Sequence, residues 1–352
     1  MKKIISILLM MLLVMTTAAC GQTQEPAVDG NDTPVNEAST DPVVNLTLGT
    51  TSAAEDLQTK ALEKFAELAK EKSGGSIIIS VFPASQLGDA TTEMESVISG
   101  GQDMFMESEL TYLNNYGIKE LGAESFGPVA TRERIIAASN SDWLKECRET
   151  FRQNNGVVTV GYNFYRQPIV MATQKEMNTI DDFKGYKLRV VPSESTLASY
   201  SALGFNPTSV AYNEVYLSLS QGVIEGTIGP LDAMYTMKFY EVAPYILKLG
   251  VSTTNMACWI NEAKWNTLTE NQQNILMEAC AEAGDWYSQE NQAMIEGYIK
   301  EMEANGAQVK EASDELWAQC FELWEAAGKE FEAAGKMPEG SYDKLYEAGN
   351  GN

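Results

Sequence analysis

The 352-residue chain contains no histidine, and that absence decides more of its chemistry than any residue present. Ser-His and Cys-His nucleophile pairs, the common zinc ligand sets and the usual general base near neutral pH are all removed. Five cysteines remain, Cys20, Cys147, Cys258, Cys280 and Cys320, and no two share a Cys-x-x-Cys spacing. Metal or thioredoxin-type chemistry therefore has no support; Cys280 sits in a helical pattern as a small core residue, and disulfide pairing stays open. Carboxylates are plentiful, 49 against 25 lysines and arginines. Glycosidase-type acid–base chemistry is thus open by composition, yet no segment singles out two of them. The net charge of −24 excludes nucleic-acid backbone binding, which needs a basic face. What is left is an acidic chain with few catalytic options, expected to be a non-enzyme without metal or cofactor.

The N-terminus gives an address. Lys2 and Lys3 precede an apolar run from Ile4 to Met15, and Thr17-Ala-Ala-Cys20 is followed by Gly21. The run is too short to span a bilayer comfortably and reads as the core of an export signal. Thr-Ala-Ala-Cys resembles a bacterial lipobox. Residues 1–19 are then a signal peptide and Cys20 a lipidated N-terminus; a plain secretory signal with an incidental cysteine is the alternative. Cleavage removes two lysines and no acid, so −24 becomes −26. The stretch 20–42 has no aromatic residue and three prolines, cannot bury enough apolar surface to fold, and reads as a tether of roughly 25 Å mean reach. The expected location is extracytoplasmic, with the chain held to the membrane by lipid.

Behind the tether, Asn45–Thr50 reads as a strand, and Leu57, Ala61, Leu62, Phe65, Leu68 and Ala69 recur at helical spacing until Gly74-Gly75. Ile77–Phe82 reads as a second strand, completing a βαβ unit. A second alternation follows: strand Tyr186–Val191, helix Asn213–Gln221 stopped by Gly222, strand Val223–Ile228. Thr269-Glu-Asn-Gln272 has capping-box spacing with Thr269 as N-cap, and helix-rich sequence runs on to about Gly335. The expected class is α/β in two lobes, a form that closes around a small ligand.

Several consecutive stretches then carry a resemblance. They are Pro83-Ala-Ser-Gln-Leu-Gly88, Gly101-Gln-Asp-Met104, Asp182-Phe-Lys-Gly-Tyr-Lys-Leu-Arg-Val190, Ala202-Leu-Gly-Phe-Asn-Pro207, Tyr212-Asn-Glu-Val-Tyr216, Gly222-Val-Ile-Glu-Gly226, Lys238-Phe-Tyr-Glu-Val242 and Trp265–Gln273. Their order resembles the solute-binding proteins of tripartite ATP-independent periplasmic (TRAP) transporters, of the dicarboxylate-binding DctP type, over residues 45 to 295. The resemblance implies a periplasmic-binding-protein-like fold with a ligand cleft between two lobes and a long helix spanning both. It implies lobe one at 43–166 and 255–294 and lobe two at 167–254 and 295–350. It also implies capture of a small organic acid and delivery to a membrane permease driven by an ion gradient.

The same resemblance assigns roles residue by residue. Arg189, in Lys-Leu-Arg-Val, matches the carboxylate-pairing arginine; a guanidinium stays charged when desolvated and its planar fork meets both carboxylate oxygens. On residue type alone an arginine at a strand end pairing with a local acid is the commoner case, and it is the flanking motif that assigns the binding role. Arg166 resembles a second family arginine, although its distance of 23 residues to Arg189 implies a short insertion. Glu107 resembles a glutamate that orients an arginine or meets ligand hydroxyls. Tyr212 stands where an aromatic ring packs on the ligand, and Ser52 and Ser193 are candidate hydrogen-bonding serines from the two lobes. Where many members place Asn before a proline, this chain has Gly229 before Pro230. That loss of an amide leaves room and argues against sialic-acid-like or hydroxyl-dense sugar acids. An ABC-type solute-binding lipoprotein would share lobes and anchor but not these motifs, and a secreted lipoprotein hydrolase would need a catalytic pair that no segment marks.

Overall fold

The computed structural model describes residues 41–250 and 253–351; the readings of a signal peptide, of Cys20 and of nearly all the tether lie outside the described residues. Strand β1 (Val44–Thr50) turns Leu46 and Leu48 inward. Helix α1 (Leu57–Lys72) is capped by Asp56, whose carboxylate accepts from the Gln58 amide at 2.8 Å. Lys70 and Lys72 occupy its last turn, where cations favour the negative end of the helix dipole. Its buried stripe, Ala61, Leu62, Phe65 and Ala69, covers the sheet, and burying Phe65 alone contributes roughly 1.5–3 kcal/mol. Strand β2 (Ile77–Phe82) and, after α2 (Ala90–Ser99), strand β3 (Met104–Ser108) join the two edges of β1, both parallel. Then come α3 (Glu109–Asn115), a 3-10 helix at Lys119–Phe126, α4 (Arg132–Asn140) and α5 (Asp142–Asn155).

Strand β4 (Val157–Thr173) belongs to two sheets. Its 17 residues extend about 56 Å at 3.3 Å each, and three register shifts let it bend from one sheet to the next. Next are β5 (Lys187–Val190), α6 (Glu194–Ala202), β6 (Asn206–Ser209), α7 (Val215–Ser220), β7 (Gly226–Pro230), α8 (Leu231–Thr236) and β8 (Tyr245–Lys248). The chain continues with β9 (Thr253–Asn261), α9 (Glu262–Trp265), α10 (Glu270–Ala304), β10 (Gln308–Glu311), α11 (Asp314–Ala333) and α12 (Ser341–Gly349). One sheet runs β2-β1-β3-β9-β4; the other runs β10-β8-β4-β7-β5-β6. This is the two-lobed periplasmic-binding-protein architecture.

Helix α10 ties the lobes together. The capping box is present: the Thr269 hydroxyl accepts from Gln272 N at 3.2 Å and Thr269 N donates to Gln272 Oε1 at 3.1 Å. From there 35 residues run without interruption, about 52 Å at 1.5 Å per residue. Leu276, Ala279, Cys280, Ala283 and Tyr287 pack into the core of the first sheet, while Tyr298 and Met302 pack into that of the second. Gly284 permits this close approach to β4, since a Cβ there would stand 2.3 Å from Asn163 Oδ1. Cys147, Cys258, Cys280 and Cys320 are all free thiols, and all are buried.

Two local readings shift. Val223 is not in a strand: Gly222 takes φ +69° and Val223 N donates back to Ser218 O, closing α7, so ladder pairing begins only at Gly226. The helix expected at Asn213–Gln221 opens with a 3-10 turn at Tyr212–Glu214 and becomes α-helical at Val215. In the C-terminal part, α11 packs on α6 and donates from Trp324 Nε1 to Ser199 O at 3.1 Å, whereas α12 lies against α4 and the 119–126 helix. No helix among the described residues is long and apolar enough to cross a membrane.

Candidate functional site

The carboxyl ends of β1 and β3 on one side, and of β5, β6 and β7 on the other, open onto one cavity of about 210 Å³. Open α/β sheets present ligands at this end. Thr51, Ser52, Asp89, Glu107, Thr111, Tyr112, Glu124 and Ser125 line one wall; Arg166, Ile169, Arg189, Thr196, Tyr200, Tyr212 and Gly229 line the other. The walls also touch directly. Asn115 Nδ2 donates to Pro192 O at 2.9 Å, and Thr236 Oγ1 donates to Asp56 Oδ2 at 3.0 Å.

Arg189 is the third residue of β5, flanked by Thr208 of β6 and Thr227 of β7. It is 3% exposed, and its Nε donates to Val210 O at 2.9 Å. Among the described residues no carboxylate forms an ion pair with it. Burial therefore pushes its pKa down to about 10, with partial relief from Tyr212 and Glu107. The guanidinium stays charged at neutral pH but has no counter-ion, an arrangement that costs free energy until an anion arrives. Tyr212 flanks it, with Arg189 Cζ 5.9 Å from the ring centroid, and is itself held edge-on by Phe239 at 6.0 Å. Burial raises the Tyr212 phenol, which keeps it neutral.

Arg166 differs, because its charge is already matched. Its Nη2 donates to Asp232 Oδ2 at 3.0 Å, and Asn291 Nδ2 donates to the same oxygen at 3.0 Å. Burial works against the charge of Arg166, but Asp232 and Asp56 more than offset it and raise its pKa. Asp56 is raised by burial and by Asp232, with Arg166 acting in the opposite direction. Two arginines thus line the cavity, and one of them is uncompensated.

Glu107 is braced at the end of β3: Thr51 Oγ1 donates to Oε2 and Ser108 N to Oε1, each at 2.9 Å. Ser52, just beyond β1, lines the cavity and is 3% exposed. Ser193 does not line it; the residue is buried at the start of α6 with its hydroxyl 2.9 Å from that of Ser195. Gly229 lines the cavity, yet a Cβ there would stand 3.0 Å from Met234 Cε. The room left by the missing side chain is partly taken by a flexible thioether of this same chain.

Sequence reasoning missed Glu124, Thr111, Tyr112, Thr196 and Tyr200. Their short helices carry no motif, and they reach the cavity only through tertiary packing. Among the described residues no cluster of acidic or cysteine side chains could hold a metal ion.

Residues 48–334 match the bacterial extracellular solute-binding protein family 7, DctP. The sialic acid-binding periplasmic protein SiaP of Vibrio cholerae is 26% identical over 259 residues, 72% of this chain and 78% of that protein. The C4-dicarboxylate-binding protein DctB of Bacillus subtilis is 26% identical over 258 residues, 72% of each. The sugar acid binding protein DctPAm of Advenella mimigardefordensis, solved with galactonate, superposes with a TM-score of 0.83 at 20% identity, covering 88% of this chain and 99% of that one. At that identity the likeness is one of fold.

Proposed function

This chain belongs to the bacterial extracellular solute-binding proteins of family 7, and we propose that it captures a small organic acid by a carboxylate seated on Arg189 for delivery to a TRAP permease. One observation carries the reading: Arg189 is buried on the cavity wall, charged, and has no ion-pair partner among the described residues. A ligand carboxylate supplies the missing charge in the fork geometry a guanidinium prefers. Arg166, already matched by Asp232, lines the cavity as a hydrogen-bond donor rather than as a second free cation. Tyr212 offers a ring face, Glu107 an acceptor for a ligand hydroxyl, and Ser52 a hydroxyl that can accept from a ligand hydroxyl or donate to a keto oxygen. The chain's overall acidity does not oppose this, since salt screens it beyond about 8 Å and affinity arises inside the cleft.

Calorimetry against dicarboxylates, 2-oxo acids, sugar acids and aromatic acids, each beside its own amide, tests the proposal. The acids that bind lose at least tenfold on amidation, because amidation removes the charge that Arg189 awaits. An amide that binds as well as its acid contradicts the carboxylate seat, and so does binding of neutral sugars or peptides alone. The lipid anchor belongs to the same proposal. Cys20→Ala releases the body or leaves an uncleaved precursor; a correctly processed variant that stays in the membrane fraction refutes it. Stable retention needs more than one acyl chain.

A further inference from the structure

Glu124 is the group in the cavity wall least accounted for by carboxylate capture on Arg189. It lies in the 119–126 helix, is 7% exposed, and accepts one hydrogen bond, from Thr111 Oγ1 at 3.2 Å. Among the described residues no lysine or arginine forms an ion pair with it. The neutral donors beside it are already engaged: Ser125 Oγ lies 3.1 Å from Ser195 Oγ and 3.0 Å from Thr196 Oγ1. It is set on different elements from Arg189: its hydrogen bond comes from Thr111 of α3 and its neighbour Ser125 contacts Ser195 and Thr196 of α6, whereas Arg189 sits on β5 beside Thr208 and Thr227. The cavity wall therefore carries a buried guanidinium on β5 and, on the 119–126 helix, a buried carboxylate held by a single hydrogen bond.

We propose that Glu124 is a specificity-determining residue, accepting a hydrogen bond from the hydroxyl or amide end of the bound acid and excluding a ligand that brings a second carboxylate there. The inference rests on the reading of Arg189 as the carboxylate seat. A buried carboxylate rewards a donor because a donor supplies the bond that water no longer can. A second ligand carboxylate would instead place two like charges in a poorly solvated pocket with no cation between them. The environment of Glu124 keeps this selection sensitive to pH. Burial raises its pKa to about 7, Thr111 lowers it and Glu109 of α3 raises it slightly. Glu109 is itself paired with Arg148 of α5 at 2.6 Å. From α6 the neighbours are the neutral Ser195 and Thr196, and α11 meets this helix through Phe331 on Phe126. α12, which also lies against this helix, carries the titratable Tyr342, Asp343, Lys344, Tyr346 and Glu347. Above about pH 7 the carboxylate rejects a diacid, and below it the protonated form can donate to one.

Matched probes test this by calorimetry: 4-hydroxybutanoate against succinate, 5-hydroxypentanoate against glutarate, and galactonate against galactarate. Each is titrated into the wild type, Glu124→Gln, Glu124→Asp and Arg189→Ala. At about pH 8 the wild type binds the mono-acid of a pair at least about tenfold more tightly than the diacid, and the gap narrows toward pH 5.5. Glu124→Gln closes the gap at both pH values, and Glu124→Asp keeps it. An unchanged gap in Glu124→Gln, or a wild type that prefers the diacid, overturns the role of Glu124 while leaving the carboxylate seat intact. Undiminished binding by Arg189→Ala, or binding by no probe at all, overturns the seat itself and this proposal with it.

Discussion

Glu93 offers the sharpest test of the electrostatics beneath the site. It lies on α2, is fully buried, and accepts from Gln102 Nε2 at 2.9 Å through Oε2, while Oε1 has no partner among the described residues. The carboxyl occupies space over β1 that exists because residue 49 is glycine; a Cβ there would stand 1.6 Å from Oε2. Burial raises its pKa from 4.5 to about 7, with Glu107 and Asp89 adding to the rise. A folded-state pKa above the unfolded one means the protonated form is favoured by folding. This stability is therefore fully present below about pH 4.5 and is lost as pH rises through about 7. At 1.36 kcal/mol per unit, the loss is bounded at about 3 kcal/mol. Glu93→Gln fixes the neutral form. Its amide brings a donor without a ready acceptor, which costs roughly 1–3 kcal/mol at every pH, so the quantity to read is how the difference varies with pH. Urea unfolding of both proteins between pH 4 and 8 should show the variant gaining up to about 3 kcal/mol on the wild type across that interval. A difference that stays level with pH would refute the assignment of a buried, neutral-favouring Glu93.

The matched pair at Arg166 predicts that Asp232→Asn destabilises the fold by about 3–5 kcal/mol in urea, because a buried guanidinium loses its partner. Combining it with Arg166→Met recovers most of that loss, and an unchanged midpoint in Asp232→Asn refutes the coupling. Closure is the second expectation. For the two lobes that share the cavity, a bridging acid reduces the radius of gyration in solution scattering. The same acid at a hundred times its Kd adds about 2.7 kcal/mol to unfolding, and tight binding with superimposable scattering curves contradicts closure.

Local signals were legible in the sequence where local physics decides. The capping box at Thr269 and Gln272 satisfies backbone donors within one turn, and the stripe from Leu57 to Ala69 follows helical period, so both stand as read. Strand β7 slipped because a turn at Gly222 and pairing with β4 and β5, rather than the apolar run Val223-Ile224, decide where the ladder begins. Six of the candidate residues, Arg189, Tyr212, Arg166, Glu107, Ser52 and Gly229, surround one cavity, most of them at or just beyond strand ends and Arg166 from the middle of β4. The seventh, Ser193, turns its hydroxyl to Ser195 instead. The Asp56–Thr236 contact joins positions 180 residues apart, and Met234 fills the space beside Gly229 from a different element. Such relations exist only in three dimensions, and no spacing in the chain encodes them. The same holds for Glu124, one acid among 49 until packing places it in the wall.

Arg189 is the residue on which carboxylate capture depends. Once an acid from the panel binds the wild type, its affinity is measured by calorimetry for Arg189→Ala and Arg189→Lys at neutral pH, with thermal melts confirming that both fold. Removing one partner of a buried charge pair costs roughly 2–5 kcal/mol, so Arg189→Ala weakens binding at least about thirtyfold. Arg189→Lys also loses affinity, because an ammonium lacks the fork. Affinity of folded Arg189→Ala within a factor of about two of the wild type would show that the carboxylate sits elsewhere, and the central claim would be wrong.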